Sequence, residues 1–367
     1  MSDLRVLLVG VRGHGGEEVY STALREHPPA GVSVEASLDF HRGCAWGRAW
    51  PLAEIGLNRL VYPWLGFDLG FRVLSVGEQP DLVHVHSHPT VLTGLRGRPV
   101  VFSAGSSHFH YLTHYEGWSR ARIDSRYARA RRVYAPLGVT DALLNPAAVT
   151  LAYTFSRDAR QVYLDFGVPA DKIRVLYPGF DVPEARAPRE GREVTFLFLG
   201  RQPVRKGGDL VLTAFQELRR SCPGARLLYV TDQPPQREIP GVEARQLVAP
   251  HEVGRLYDAA DVFVNPTRAE GFGFTNAEAQ GHALPVISSR LGAIPEVVED
   301  GVTGLLVDAG DSAALLAAMR RLAGEPALRR DMGLAARERF LRYFARHVFQ
   351  GALRSLYDEA LQLGASA

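Results

Sequence analysis

Two glutamates, Glu270 and Glu278, stand eight positions apart, with Gly271-Phe272-Gly273-Phe274 between them. The apolar run 261–266 leads into this segment and reads as a buried strand, and a helical pattern runs from Thr275 to Gln280. Strand, glycine-rich turn and helix start together present unpaired N–H groups and the positive end of a helix dipole to an anionic or polyhydroxyl ligand. Glu270 would face that ligand from the loop. Glu278, about one turn into the helix, would reach it from another side. A carboxylate that accepts two hydroxyls is a common grip on a ribose or a hexose. The competing reading is a surface loop with two solvated glutamates.

Upstream the same order recurs with the opposite charge. The apolar run 196–199 enters Gly200-Arg201, then comes Arg205-Lys206-Gly207-Gly208, then an amphipathic stretch over 210–218. Arginine offers a forked donor and lysine a compact point charge, a pairing suited to a diphosphate. Of the 42 Lys+Arg only Lys172 and Lys206 are lysine, so a lysine beside two glycines answers a local need. A third such turn, Gly13-His14-Gly15-Gly16, follows the strand 4–9. It lacks the full dinucleotide fingerprint, and a tight turn without a ligand explains it equally well.

These loops need a scaffold, and the chain alternates strands and helices in the manner of an α/β fold with parallel sheets. Strands are predicted at 4–9, 81–86, 99–103, 149–155 and 173–177 in the first half. In the second half they are predicted at 194–199, 225–230, 262–265, 284–288 and 304–307. Asp311 is a predicted N-cap for a helix over 312–322, and a helical stretch over 329–363 breaks near Ala345. At 367 residues two domains are expected, with the linker at 182–193. Two Rossmann-like halves would bind a ligand in a cleft at the carboxyl ends of their strands.

Composition narrows the classes. Hydrophobic content of 46% and charged content of 22% are those of a soluble globular protein, and a net charge of +2 carries no nucleic-acid footprint. Cys44 and Cys222 lie in different halves, which fits a reducing, cytoplasmic compartment rather than a disulfide framework. No signal-peptide pattern is read at the start and no apolar run reaches transmembrane length.

The second half resembles the nucleotide-sugar domain of family 4 glycosyltransferases, retaining enzymes of the GT-B fold. The family's two glutamates, E-x-G-F-G-x-x-x-E in outline, match Glu270 and Glu278, and its Gly-Arg and Lys-Gly elements match Gly200-Arg201 and Lys206-Gly207. Leu256-Tyr257, Pro266-Thr267, Gly292-Ala293-Ile294-Pro295-Glu296 and Gly304-Leu305-Leu306-Val307 also match, in the family's order, over roughly 175–343. The first half is similar through Leu82-Val83-His84-Val85-His86 and Pro99–Ser103. Gly105 stands where the family usually has a histidine; His108 or His110 would supply the imidazole from a shifted loop.

The resemblance implies an acceptor domain at 1–185, a donor domain at 186–345 and a helix at 346–367 that packs back on the first. It implies retaining transfer of a hexosyl group from a nucleotide-diphosphate sugar to an unidentified acceptor, with no separate cofactor. Arg201 and Lys206 would stabilise the leaving diphosphate, helped by the amides of Gly15 and Gly16. Glu278 would hold the ribose, Glu270 would orient the donor sugar, and amides over Gly271, Phe272, Gly273 and Phe274 would bind its hydroxyls. The base would lie near Gln246 and Val248. There is no Asp-x-Asp motif, so fixed cations would do the work of a metal. A catalytically silent nucleotide-sugar-binding partner and a sugar-nucleotide epimerase remain alternatives.

Three further features carry two readings each. His84, His86 and His88 alternate on one strand face and could bind zinc, although sheet packing is the simpler account. The arginine-rich segment 118–134 fits an anionic membrane surface or an ordinary solvated helix. The aromatic stretch 46–71 fits a lipid or aromatic acceptor, or core packing.

Overall fold

The computed structural model describes residues 3–10, 16–37, 47–50, 72–87, 90–105, 112–113, 116–184 and 193–366. The chain divides into two compact units. One comprises Met1–Thr113, Gly117–Pro178 and His347–Ala367; the other comprises Gly179–Arg346 with His114–Glu116.

The first unit is built on a parallel sheet of β1 (Leu4–Val9), β2 (Val32–Ser37), β5 (Leu82–His86), β7 (Val100–Ala104), β9 (Leu151–Thr154) and β10 (Ile173–Val175). Their spatial order is β10-β9-β7-β5-β1-β2. The chain leaves β1 toward β2 and returns on the other side at β5, so the topological switch point lies between β1 and β5. Every residue of β5, β7 and β9 is buried, as expected for strands covered on both faces. A second, four-stranded sheet joins β3 (Gly47–Trp50), β4 (Arg72–Val76), β6 (Thr90–Thr93) and β8 (Val139–Thr140). The helices are α1 (Gly16–Glu26), α2 (Arg120–Tyr134), α3 (Arg157–Asp165) and, from the C-terminus, α10 (Arg346–Ala365).

The second unit repeats the design. Its parallel sheet holds β11 (Thr195–Gly200), β12 (Arg226–Thr231), β13 (Val242–Gln246), β14 (Val262–Asn265), β15 (Val286–Ser289) and β16 (Gly304–Val307). The order β13-β12-β11-β14-β15-β16 is the doubly wound arrangement, with its switch point between β11 and β14. Helices α4 (Gly208–Ser221), α5 (Val253–Asp258), α6 (Phe274–Gly281), α7 (Ile294–Val297), α8 (Ser312–Gly324) and α9 (Pro326–Tyr343) complete it. Phe196, Phe198, Val211, Phe215, Leu218, Val262, Val264, Leu315 and Met319 form its fully buried centre. Asp311 caps α8 by accepting from Ala314 N at 2.8 Å. The long C-terminal helical pattern breaks between Tyr343 and Arg346.

Three expected features receive different outcomes. The linker stretch 185–192 lies outside the described residues, as do Cys44, His88 and most of the aromatic stretch 46–71. The four-stranded sheet, β2 and β13 were not anticipated from the sequence. His84 and His86 belong to the sheet packing: His84 sits between Ser103 Oγ and Tyr357 Oη at 2.7 Å each, and His86 Nδ1 meets the same Ser103 Oγ at 2.7 Å. No cluster of three metal-ligating side chains occurs among the described residues.

Candidate active site

The switch point of the second sheet gathers the two loops singled out by their charge. β11 ends at Gly200, and the turn that follows folds Arg205 and Lys206 back beneath the loop that leaves β14. Two glycines make this turn possible. Gly207 has φ +74°, and a Cβ there would come within 2.1 Å of the Pro266 carbonyl oxygen. A Cβ on Gly208 would lie 2.3 Å from the Tyr229 hydroxyl. The two loops are therefore in backbone contact, and no side chain fits between them.

Arg205 ties the loops together. Its guanidinium donates to Gln202 Oε1 at 2.6 Å and to the Ala269 carbonyl at 2.8 Å, while its own carbonyl accepts from Arg268 N at 2.8 Å. Arg268 in turn forms a forked pair with Asp209 at 2.7 and 2.8 Å. In the sequence Arg205 stands only as one member of a cationic motif. Here it is the clamp that sets the spacing of the loops.

Across this clamp Lys206 Nζ is ion-paired with Glu270 Oε2. Their side chains are only 12% and 13% exposed. The other Glu270 oxygen accepts from Gly271 N at 3.2 Å. Burial alone would raise the Glu270 carboxyl, but the charge of Lys206, its hydrogen bond and the nearby Arg205 outweigh it and hold the group below its ordinary value. Both oxygens of Glu270 are thus engaged, and the carboxylate fixes the ammonium in place. Arg201, just beyond β11, is exposed.

The glycine-aromatic loop turns its rings inward. Phe272 is buried and meets Phe344 and Phe274 edge-on at 6.0 and 5.7 Å, and Phe274 meets Phe180 at 5.6 Å. Gly273, at φ +92°, caps α6 in the left-handed conformation. The first turn of α6 closes on this cap, with Asn276 N donating to the Gly273 carbonyl at 2.9 Å, so the positive end of the helix lies at the loop. Buried amides fix the helix behind them. Asn276 donates to Ser288 Oγ at 3.2 Å, and Gln280 donates to the Val297 carbonyl at 3.0 Å.

Glu278 occupies the middle of α6 in a different setting from Glu270. Among the described residues no cation is paired with it. Its Oε2 accepts from the Tyr257 hydroxyl at 2.9 Å, and burial pushes its carboxyl up to about 7 despite that bond. Tyr257, itself buried, stacks on His282 with ring centroids 5.0 Å apart, and His282 Nδ1 is 2.8 Å from Asp258. Tyr257 was read from the sequence only as part of a matching motif.

The remaining expected residues divide. Gln246 lies exposed at the end of the edge strand β13, with Val248 half-buried just beyond it. Gly16 opens α1, while Gly15, His108 and His110 lie outside the described residues. The second sheet therefore brings together Lys206, Glu270 and the amides of the loop from Gly271 to Phe274, with Glu278 a turn further along α6.

Comparison with known proteins bears on this geometry. The family described as Glycosyltransferase Family 4 matches residues 19–184, and that described as Glycosyl transferases group 1 matches residues 193–325. The D-inositol 3-phosphate glycosyltransferase of Saccharomonospora viridis is 30% identical, over 96% of this chain and 91% of that protein. The chain belongs to the family 4 glycosyltransferases. Two further relatives match over shorter spans. The enzyme of the same description from Acidothermus cellulolyticus is 30% identical over 56% of this chain and 52% of its own length. The GDP-mannose-dependent alpha-(1-6)-phosphatidylinositol monomannoside mannosyltransferase of Mycolicibacterium smegmatis is 33% identical over 50% of this chain and 54% of its own length. Among solved structures, sucrose-phosphate synthase from Thermosynechococcus elongatus superposes with a TM-score of 0.68 at 19% identity, over 99% of this chain and all of that one. This likeness and the two parallel sheets identify the GT-B fold. As a member of this family the chain is a glycosyltransferase that uses a nucleotide-sugar donor. Among the described residues no helix is long and apolar enough to cross a membrane.

Proposed function

We propose that this glycosyltransferase moves a hexosyl group, with retention of anomeric configuration, from a nucleotide-diphosphate sugar to a hydroxyl of an inositol phosphate or its lipid-linked form. The observation that carries the donor half is the Lys206–Glu270 pair at the switch point, beside the start of α6. The acceptor half rests on the names of the relatives that match.

In this reading the donor's diphosphate lies against Lys206 and Arg201. The bond between the anomeric carbon and the phosphate oxygen breaks, and its electron pair leaves with the nucleoside diphosphate. The two cations meet the charge that grows on that oxygen; Lys206 is nearly buried, so its interaction is worth more than in bulk water, while Arg201 lies exposed. Glu270 acts through Lys206 as an orienter. It holds the ammonium still, so little reorganisation is needed as charge develops. The loop amides take the hexose hydroxyls, and Glu278 accepts the ribose diol. The acceptor hydroxyl forms the new bond to the anomeric carbon and passes its proton to the departing diphosphate oxygen. Fixed cations make a metal ion unnecessary for the leaving group.

The test is release of nucleoside diphosphate in the presence of a chelator, with UDP-glucose, UDP-N-acetylglucosamine and GDP-mannose as donors. The acceptors are D-inositol 3-phosphate and phosphatidylinositol vesicles. Release that requires one of these acceptors, with an α-linked product by NMR, is the expected result. Consumption of donor without acceptor supports the epimerase or hydrolase alternative. Nucleotide binding with no turnover supports the silent partner.

A further inference from the structure

We propose that Tyr257 is a positioning residue for the donor: its hydroxyl holds the Glu278 carboxylate in the one orientation that can take the ribose diol. The inference rests on the assignment of Glu278 to the ribose and adds a residue to it.

The geometry is specific. A buried carboxylate on a short helix has several rotamers and needs a donor to select one. The Tyr257 hydroxyl supplies it at 2.9 Å, from α5, a separate element. Tyr257 is itself immobilised. It is 1% exposed, stacks on His282 and meets Phe263 edge-on at 5.7 Å. Its hydroxyl also lies 3.4 Å from the Thr275 carbonyl.

That second acceptor gives the pair two states. With Glu278 ionised, the hydroxyl donates to the carboxylate, which keeps its remaining lone pairs for a ligand. With Glu278 protonated, the carboxyl donates to the tyrosine oxygen and the hydroxyl turns to Thr275. The neutral carboxyl is then a weaker acceptor for the ribose hydroxyls than the carboxylate. Burial raises the Glu278 carboxyl to about 7, so both states are accessible near neutrality. The other charged groups around α6 are already engaged. Lys206 is paired with Glu270, and Asp258 with His282. Arg337 on α9 donates to the Gly281 and Pro183 carbonyls, and Arg339 is bound to Glu299 and to the carbonyl of Glu296 on α7. Tyr257 is the titratable neighbour in direct hydrogen-bond contact with Glu278 among the described residues.

The experiment is calorimetric titration of UDP, GDP, ADP and dTDP, followed by the sugar conjugate of whichever binds, into four proteins. These are the wild type, Tyr257→Phe, Glu278→Gln and the double variant. Phenylalanine keeps the ring and its stacking and removes only the hydroxyl. Tyr257→Phe is expected to weaken binding roughly tenfold, as for a lost hydrogen bond to a charged group. The double variant is expected to bind no more weakly than Glu278→Gln alone. The pH at which affinity rises is expected to move upward in Tyr257→Phe, because the bond that favours the carboxylate is gone. A sugar conjugate serves for this profile because its diphosphate carries no group that titrates in the range. Tyr257→Phe binding like the wild type, an unmoved pH profile, or losses that multiply in the double variant would each overturn the proposal. A separate result, Glu278→Gln binding as well as the wild type, or no binding of any of the four nucleotides by the wild type, overturns the ribose assignment itself.

Discussion

The two units share a doubly wound sheet and treat their switch points in opposite ways. In the second unit the strands on either side of the switch lead into loops that carry charge, with Lys206 and Glu270 paired and nearly buried and Arg201 exposed. In the first unit β5 and its neighbours carry a buried polar network. His84, His86, Ser103, Tyr153 and Tyr357 bond to one another, and the Tyr20 hydroxyl meets that of Tyr153. Burial holds the His84 imidazole well below its ordinary value, with His86 adding to the effect, so His84 stays neutral. Topology supplies a crevice in both units. Whether it becomes a site for a charged ligand depends on whether the loops end in paired charges or the strands end in buried polar groups bonded to one another.

The largest expected effect breaks the charged side of this contrast. Lys206→Ala removes the cation and leaves Glu270 buried without its partner. Turnover is expected to fall on the order of a thousandfold, and a melting temperature well below that of the wild type is expected to accompany it. Steady-state kinetics and calorimetric melting check both.

Glu278→Gln separates function from stability. A carboxylate raised to about 7 in the folded state, against its ordinary value of 4.5, is a cost above neutrality. The folded protein holds a proton that the unfolded chain has released, so stability falls as pH rises from about 4.5 to about 7 and levels off beyond. The glutamine variant is expected to bind nucleotide more weakly. At about pH 8 it is expected to be more stable than the wild type by on the order of 2 kcal/mol. The advantage should shrink as pH is lowered through about 6, and thermal melts across that range decide it.

His84→Leu tests the neutral side. It strands the Tyr357 hydroxyl and one Ser103 bond in the core, a loss of roughly 2 kcal/mol or more. Nucleotide affinity of the folded protein should not change. A matching loss of affinity would show that the network belongs to the donor site after all.

The smallest effect is a control in the second unit. Asp311→Ala removes the cap of α8 and is expected to cost about 1 kcal/mol, with turnover unaltered. Denaturant unfolding measures the first and the transfer assay the second.

Legibility in the sequence followed contact range. The large sheets were readable because β11 and β14 are short, continuous apolar runs bounded by turn residues. Lys206 stood out as one of two lysines beside Gly-Gly, and its partner lies on the next loop of the same switch point. The four-stranded sheet was not readable, because it assembles strands as short as Val139–Thr140 from scattered segments. Tyr257 gave no signal of its role, since its partner sits 21 positions away and only the packing of α5 on α6 joins them. His84 offered a metal-like alternation, and its true partner, Tyr357, is 273 positions distant.

The most direct measurement is calorimetric binding of the nucleoside diphosphates UDP, GDP, ADP and dTDP to the wild type and to Lys206→Ala, in the presence of a chelator. Micromolar binding of one nucleotide by the wild type, lost in a variant that still melts cooperatively, is the predicted result. Equal binding by both proteins, or binding that returns only with a divalent cation, would contradict a diphosphate site built on Lys206.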